Sequence, residues 1–332
     1  MTDPKNTSLH AHILAVKKGE RVFENAFQSV SRMILEKDIN KVTVNGKSTF
    51  DFTIFREGKK HIIGMYDEIN SFVSFVKDAS QGGSSKEMAF VLVGEPGNGK
   101  TFLVEYLCSL YRDFLSRPKN RKYTFRFTNL DRIGSYGAIR MIESQTYEDP
   151  MILALNLFES KSESMQYLAK KCKVSDATLE TWAENYRPLG ACSAYIWNDI
   201  RTLCGDDVEA MLQCVEIVPV PLVESLGTVT GKYPAKDKIT SSAVDLLGEE
   251  SIQRLLHITD TNNPYRFDLR RGALARVAGG GIHFSDEIYK NKKDLVQVYL
   301  GIIQNRTIEI DGYRWPIDRK STRLNSSHTD IS

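Results

Sequence analysis

The sequence predicts an α/β fold: a parallel β-sheet flanked by helices, with a long, mainly helical insertion. Three observations predict it. An apolar run, Ala89 to Val93, leads into the glycine-rich string G-E-P-G-N-G-K-T at Gly94 to Thr101. Behind the string, Phe102, Leu103, Tyr106, Leu107, Leu110, Tyr111 and Phe114 are spaced to share one helix face. Far downstream, Ile282 to Glu287 reads as a second strand that ends in two carboxylates.

The elements follow in chain order. Residues 1–56 are a mixed, charged lead-in with one helix over 21–37 and strand-like pieces at Val42 to Val44 and Phe50 to Phe55. From Gly64, an amphipathic pattern places Met65, Ile69, Phe72, Val73 and Val76 on one side. Gln81 to Ser85 breaks it and delivers the chain into the strand at Ala89. After the helix, Arg117 to Asn120 make a turn, and Lys122 to Leu130 alternates as the next strand. A mainly helical stretch occupies 150–245; within it Val215 to Leu222 is strand-like, but its two prolines demote it to an edge. Ser242 to Ile258 and Ile288 to Gln304 read as helices, and Thr307 to Ile317 as a hairpin with Asp311-Gly312 at its turn.

Composition narrows the function. A chain of 332 residues with 41% apolar and 26% charged residues has material for a sizeable core. A net charge of +2 gives no general attraction to nucleic acid or to a membrane surface. The five cysteines lack metal-ligand spacing and read as free thiols of a reducing cytosol. The stretch MTDPKNTSLHAH has no apolar core of signal-peptide length and no later run is long enough to span a bilayer, so a soluble, cytoplasmic protein is expected.

Gly94 to Thr101 has the form G-x-x-x-x-G-K-[ST], and its strand-before, helix-after context is that of a P-loop NTPase. Gly94, Glu95, Pro96, Gly97, Asn98, Gly99, Lys100, Thr101 and Phe102 are the candidate nucleotide-binding residues. Glycines let backbone N–H groups wrap a phosphate chain, Pro96 stiffens the loop, and Lys100 is expected on the β and γ phosphates of ATP. Thr101 is a candidate Mg²⁺ ligand. Hydrolysis needs a second acidic site: Asp286 is assigned to the metal and Glu287 to the attacking water. The competing reading is an acidic pair that opens the helix at Ile288, where carboxylates suit the dipole. Asp67-Glu68 reads as a solvated helix face, Asp206-Asp207 as a helix cap, and His283 as a hydrogen-bonded core residue. Arg270, Arg271 and Arg276 reach phosphate or a neighbouring subunit, or form a solvated face.

Several segments together resemble the AAA-type ATPase domain of the PrkA family of bacterial serine protein kinases. They are Gly64-Met65 with the trailing K-D-A-S-Q-G of Lys77 to Gly82, Glu148-Asp149-Pro150-Met151, Tyr186-Arg187-Pro188-Leu189-Gly190, and G-A-L-A-R-V-A-G-G-G-I-H-F-S-D-E-I-Y-K from Gly272 to Lys290. Residues 60–317 are covered. Two departures stand out: the strand-end glutamate of the family falls on Asp286, or on Glu287 with a one-residue insertion, and Ala278 replaces an asparagine. The resemblance implies an ATPase domain over 57–318, phosphoryl transfer to Ser or Thr of a protein substrate, and a homo-oligomer. The alternatives are an AAA remodeller acting on a protein partner and a nucleotide-gated scaffold with negligible turnover. The resemblance also implies a sensor strand between the P-loop strand and the acidic strand, which the expected sheet lacks. Residues 319–332 are polar, without a period, and similar to translated adapter sequence; a non-native or disordered tail is expected there, on a truncated, weakly stable domain.

Overall fold

The structure, a computed structural model, describes residues 8–95, 97–223, 228–233, 243–251, 268–286, 293–305, 307–310, 313–316 and 322–327. It opens with helix α1 (Leu9–Lys17), which the sequence reading did not assign, although Ser8 caps it and Leu9, Ile13 and Val16 share its buried face. The helix expected over 21–37 is shorter, α2 (Ala26–Leu35), because Asn25 and Gln28 form a reciprocal capping box that fixes its start. Strands β1 (Ile39–Val44) and β2 (Lys47–Phe52) pair antiparallel around Asn45 and Gly46, both left-handed, as a two-residue hairpin turn requires. Helix α3 (Tyr66–Ser80) starts only after two left-handed residues, Gly64 and Met65. Strand β3 (Phe90–Val93) and helix α4 (Lys100–Ser116) flank the glycine-rich string as expected.

Residues 123–219 form a lobe of their own. Strand β4 (Tyr123–Thr128) pairs antiparallel with β5 (Met141–Glu143) on one side and with β6 (Val215–Pro219) on the other. The strand read at Lys122 to Leu130 therefore exists, but in a separate three-stranded sheet. β6 lies at that sheet's edge, where Pro219 costs no ladder hydrogen bond. Helices α5 (Pro150–Ala154), α6 (Lys161–Cys172), α7 (Asp176–Ala183), α8 (Ala191–Cys204) and α9 (Val208–Leu212) complete the lobe. Its core packs Phe125, Phe127, Trp197 and Met151 against Leu9 and Ile13 of α1.

The remaining described elements are β7 (Thr230–Tyr233), α10 (Ala243–Leu247), β8 (Gly248–Ser251), β9 (Asp268–Arg271), α11 (Ala273–Val277), β10 (Ile282–Asp286), α12 (Lys293–Asn305), β11 (Thr307–Ile310), β12 (Tyr313–Pro316) and β13 (Thr322–Ser327). The helix expected over 242–258 is corrected: it ends at Leu247 and the chain turns at Gly248 (φ 124) into β8, with 252–258 outside the described residues. Of the hairpin expected at 307–317, the two strands are present and pair antiparallel, with Ile310 opposite Tyr313; the turn at Asp311-Gly312 and Ile317 lie outside the described residues.

Strands β3, β13, β10 and β7 lie side by side in one sheet, every pair parallel. Buried side chains of α3 and α4 cover one face, in a core with Leu92, Ile282 and Phe284. Tyr233, Leu246, Leu274, Tyr299 and Ile302 pack together in a separate core formed with α10, α11 and α12. The parallel sheet flanked by helices is therefore present. The expected gap in it is not: β13 occupies the slot between β3 and β10. The physical reason is that ladder pairing uses backbone groups alone, so a six-residue extended segment satisfies both neighbours whatever its side chains. Within the segment expected as a non-native or disordered tail, residues 322–327 form β13; 319–321 and 328–332 lie outside the described residues.

Candidate phosphate-binding site

The loop from Gly94 to Gly99 leaves the carboxyl end of β3 and delivers the chain to the first turn of α4. Gly97 (φ 84) and Gly99 (φ 74) are both left-handed, a conformation that costs an L-residue roughly 1–2 kcal/mol. Glycine at these positions is thus a backbone requirement, and Pro96 lies outside the described residues. A side chain on Gly94 would put its Cβ 3.6 Å from the Lys100 ammonium, inside the cradle. Leu103 N–H closes the first intrahelical bond on Gly99 O at 2.9 Å. The N–H groups ahead of it at the helix start are those an α-helix leaves without an internal acceptor.

Lys100 is the first residue of α4 and is buried, 6% exposed. Its Nζ donates to Gly94 O at 2.7 Å and to Glu95 O at 2.6 Å, so the ammonium sits within the ring of the loop. Thr101 follows, half-buried. Phe102 is exposed on the next position, with its ring 6.0 Å from that of Tyr106. The Tyr106 hydroxyl donates to Glu57 O at 2.5 Å and ties α4 to the segment after β2. Burial raises its pKa, and the nearby Glu57 charge adds to the rise. Met65, which caps α3, places its Sδ 3.6 Å from where a Cβ on Gly99 would stand.

Asp286 is the last residue of β10 and is half-buried. In the ladder it is level with Ser326, which is level with Leu92 of the P-loop strand. Two strand spacings, about 9.6 Å, separate the backbones of Asp286 and Leu92 at the carboxyl edge from which the loop departs. Glu287 lies outside the described residues.

Other candidate residues resolve clearly. Asp67 and Glu68 are exposed in the first turn of α3, as a solvated face. Asp207 caps α9, accepting from Glu209 N–H at 3.0 Å and Ala210 N–H at 3.4 Å. His283 is fully buried, its Nε2 2.8 Å from the Tyr299 hydroxyl, which explains a polar residue in this strand: Ile282 and Phe284 face one core, His283 the other. Of the arginine cluster, Arg271 does not form a solvated face but turns onto the segment before α5. It donates to Gln145 O, to Ser144 O at 2.9 Å and to the Tyr147 hydroxyl at 3.2 Å, and it stacks on the Tyr147 ring. Arg276 Nε donates to Arg271 O at 3.0 Å. All five cysteines are free thiols. Among the described residues no group of three or more His, Cys, Asp or Glu could hold a metal, and no helix is long and apolar enough to cross a membrane.

Together, a parallel sheet, a glycine-rich loop closing on a buried lysine at a helix start, and an acidic strand end define a mixed α/β protein with a P-loop-like site. No family model matches the chain, and no curated protein does. Among solved structures it is similar to NtrX from Brucella abortus in complex with ADP, at 13% identity and a TM-score of 0.22, over 74% of this chain and 44% of that one. A second NtrX structure from the same organism aligns at 12% identity and a TM-score of 0.23, over 79% of this chain and 48% of that one. The chain thus spans less than half the length of either, and likeness of this size carries no argument about activity.

Proposed function

We propose that this chain binds ATP at Gly94 to Phe102 and hydrolyses it as an AAA-type module. The observation that carries the reading is the Lys100 ammonium held on Gly94 O and Glu95 O at the N-terminus of α4. A phosphate chain entering the cradle offers oxygens in place of those two carbonyls, next to unpaired helix N–H groups and the positive end of the dipole. The residues fit such a group, because the loop's left-handed glycines leave free the space that side chains would fill. Mg²⁺ bound with the nucleotide supplies charge neutralisation to the phosphates. The Thr101 hydroxyl and the Asp286 carboxylate are the groups of this chain that would hold it. Glu287, next along the chain, is assigned to orient and polarise the attacking water.

Membership of a PrkA-like serine kinase, with a protein substrate and a homo-oligomeric state, rests on the sequence resemblance alone. Phosphate appearing on serine of a bound protein selects it; partner unfolding selects the remodeller; binding without turnover selects the scaffold.

The test is a thermal shift with ATP, with and without Mg²⁺, on wild type and K100A. Ligand at a hundred times its Kd stabilises by about 2.7 kcal/mol, an upward shift of several degrees. Wild type should show it and K100A should not. An unshifted wild type, or equal shifts in the two proteins, sinks the reading.

A further inference from the structure

The turn that launches the acidic strand is held unusually closely. A Cβ on Gly279 would lie 2.2 Å from Tyr147 O, and one on Gly281 would lie 2.3 Å from Val229 O. Tyr147 (φ 52) and Val229 (φ 68) are themselves left-handed, which β-branched and bulky residues rarely are. Arg271 fixes the Tyr147 side through its bonds to Ser144 O, Gln145 O and the tyrosine hydroxyl. On the other side, Ile282 N–H donates to Val229 O at 2.7 Å. Between them Gly280 (φ 99) turns its carbonyl to the Tyr111 hydroxyl, 2.9 Å away. Tyr111 is fully buried and belongs to the same helix that carries Lys100.

These contacts close a frame. From Lys100 to Tyr111 is eleven residues of helix, about 16 Å. From Gly280 to Asp286 is six steps of nearly extended chain, about 20 Å. The helix runs away from the phosphate-binding edge, the Tyr111–Gly280 hydrogen bond crosses over, and β10 returns to that edge. Resting on the nucleotide-binding reading above, we propose that Tyr111 is a positioning residue: through Gly280 it sets where along the sheet edge Asp286 comes level with the Lys100 loop. The group it positions for is a divalent cation bound with nucleotide.

The test separates this from the reading it rests on. Nucleotide affinity of wild type is measured first, with Mg²⁺ and with EDTA. If wild type binds no nucleotide, both ideas fall together; if it binds nucleotide but Mg²⁺ adds nothing to affinity, this inference alone falls. If Mg²⁺ strengthens binding, Y111F, which removes only the hydroxyl, is compared with D286N and with the double variant. The expected result is EDTA-state affinity within about twofold of wild type, a Mg²⁺ gain reduced at least about fivefold in each single variant, and no further loss in the double. A Mg²⁺ gain kept within twofold in Y111F, or losses that multiply in the double variant, overturns the inference. A second readout needs no variant. Hydrogen exchange on wild type should show Mg-nucleotide slowing the N–H groups of Gly281 and Ile282, at the far end of the frame. Unchanged exchange there overturns it as well.

Discussion

Arg21 donates from Nη1 to Nδ1 of His12 at 2.8 Å, and both side chains are buried against the Tyr123 ring. The imidazole must be neutral to accept that bond, with its proton on Nε2. Burial first, and then the Arg21 charge, lower the His12 pKa to about 3. The contact joins α1 and the chain after it to the first strand of the helical lobe.

The sign of the pH dependence follows. The folded pKa lies below the unfolded value near 6.5, so the unfolded chain takes up the proton first. His12 therefore contributes full stability above about pH 6.5, lost as pH falls towards 3. Between pH 6.5 and 5, where carboxylates titrate little, the loss should be about 1.5 kcal/mol. Urea unfolding of wild type and H12N across that window measures it; parallel pH profiles would refute the assignment.

Glu148 is a buried carboxylate in a hydroxyl and amide nest. Its Oε1 accepts from Gly190 N–H at 2.7 Å, and its Oε2 accepts from the Ser144 hydroxyl at 2.9 Å and from the Ser193 hydroxyl. Gly190 is the N-cap of α8, so the charge also meets the positive end of that helix. Glu148→Ala strands three donors in the interior and should cost about 3 kcal/mol or more. Glu148→Gln keeps acceptor capacity and should cost clearly less. Chemical denaturation ranks the two, and equal losses would show that volume, not hydrogen bonding, matters at this position.

Strand β13 tests how much of the sheet depends on backbone alone. Deleting residues 318–332 removes the partner of both β3 and β10, and each buried backbone group left unpaired costs roughly 1–3 kcal/mol. The truncated chain should melt at lower temperature and lose exchange protection at Leu92 and Phe284. A scrambled 322–327 segment of strand-forming residues should restore both. Truncation without any effect would mean that the slot is not filled by this segment in solution.

Much of the local structure was legible, because local chemistry specifies it. Gly97 and Gly99 mark left-handed positions that few other residues accept, and they announce the loop. The Asn45-Gly46 turn and the Asp207 cap declare themselves in the same way. Helix α1 has its own signal, a Ser8 cap before Leu9, Ile13 and Val16, but nine residues give too short a periodic run to announce a helix. Sheet membership was not legible. Nothing in the alternation of Tyr123 to Thr128 tells whether that strand joins β3 or pairs antiparallel with Val215 to Pro219, ninety residues on.

The sequence by itself determined that a glycine-rich loop lies between a strand and a helix, with Lys100 at the junction and an acidic strand end downstream. Those features are written in glycines, a lysine and an apolar period, each acting within a few residues. Only the tertiary structure decided that Arg271 is spent on the carbonyls of Ser144 and Gln145, that Tyr111 reaches Gly280, and that residues 322–327 lie between β3 and β10. Each of those pairings ends on a backbone group, and every residue type presents the same carbonyl and, proline apart, the same N–H. Proximity in the folded chain chooses among them, and sequence spacing does not.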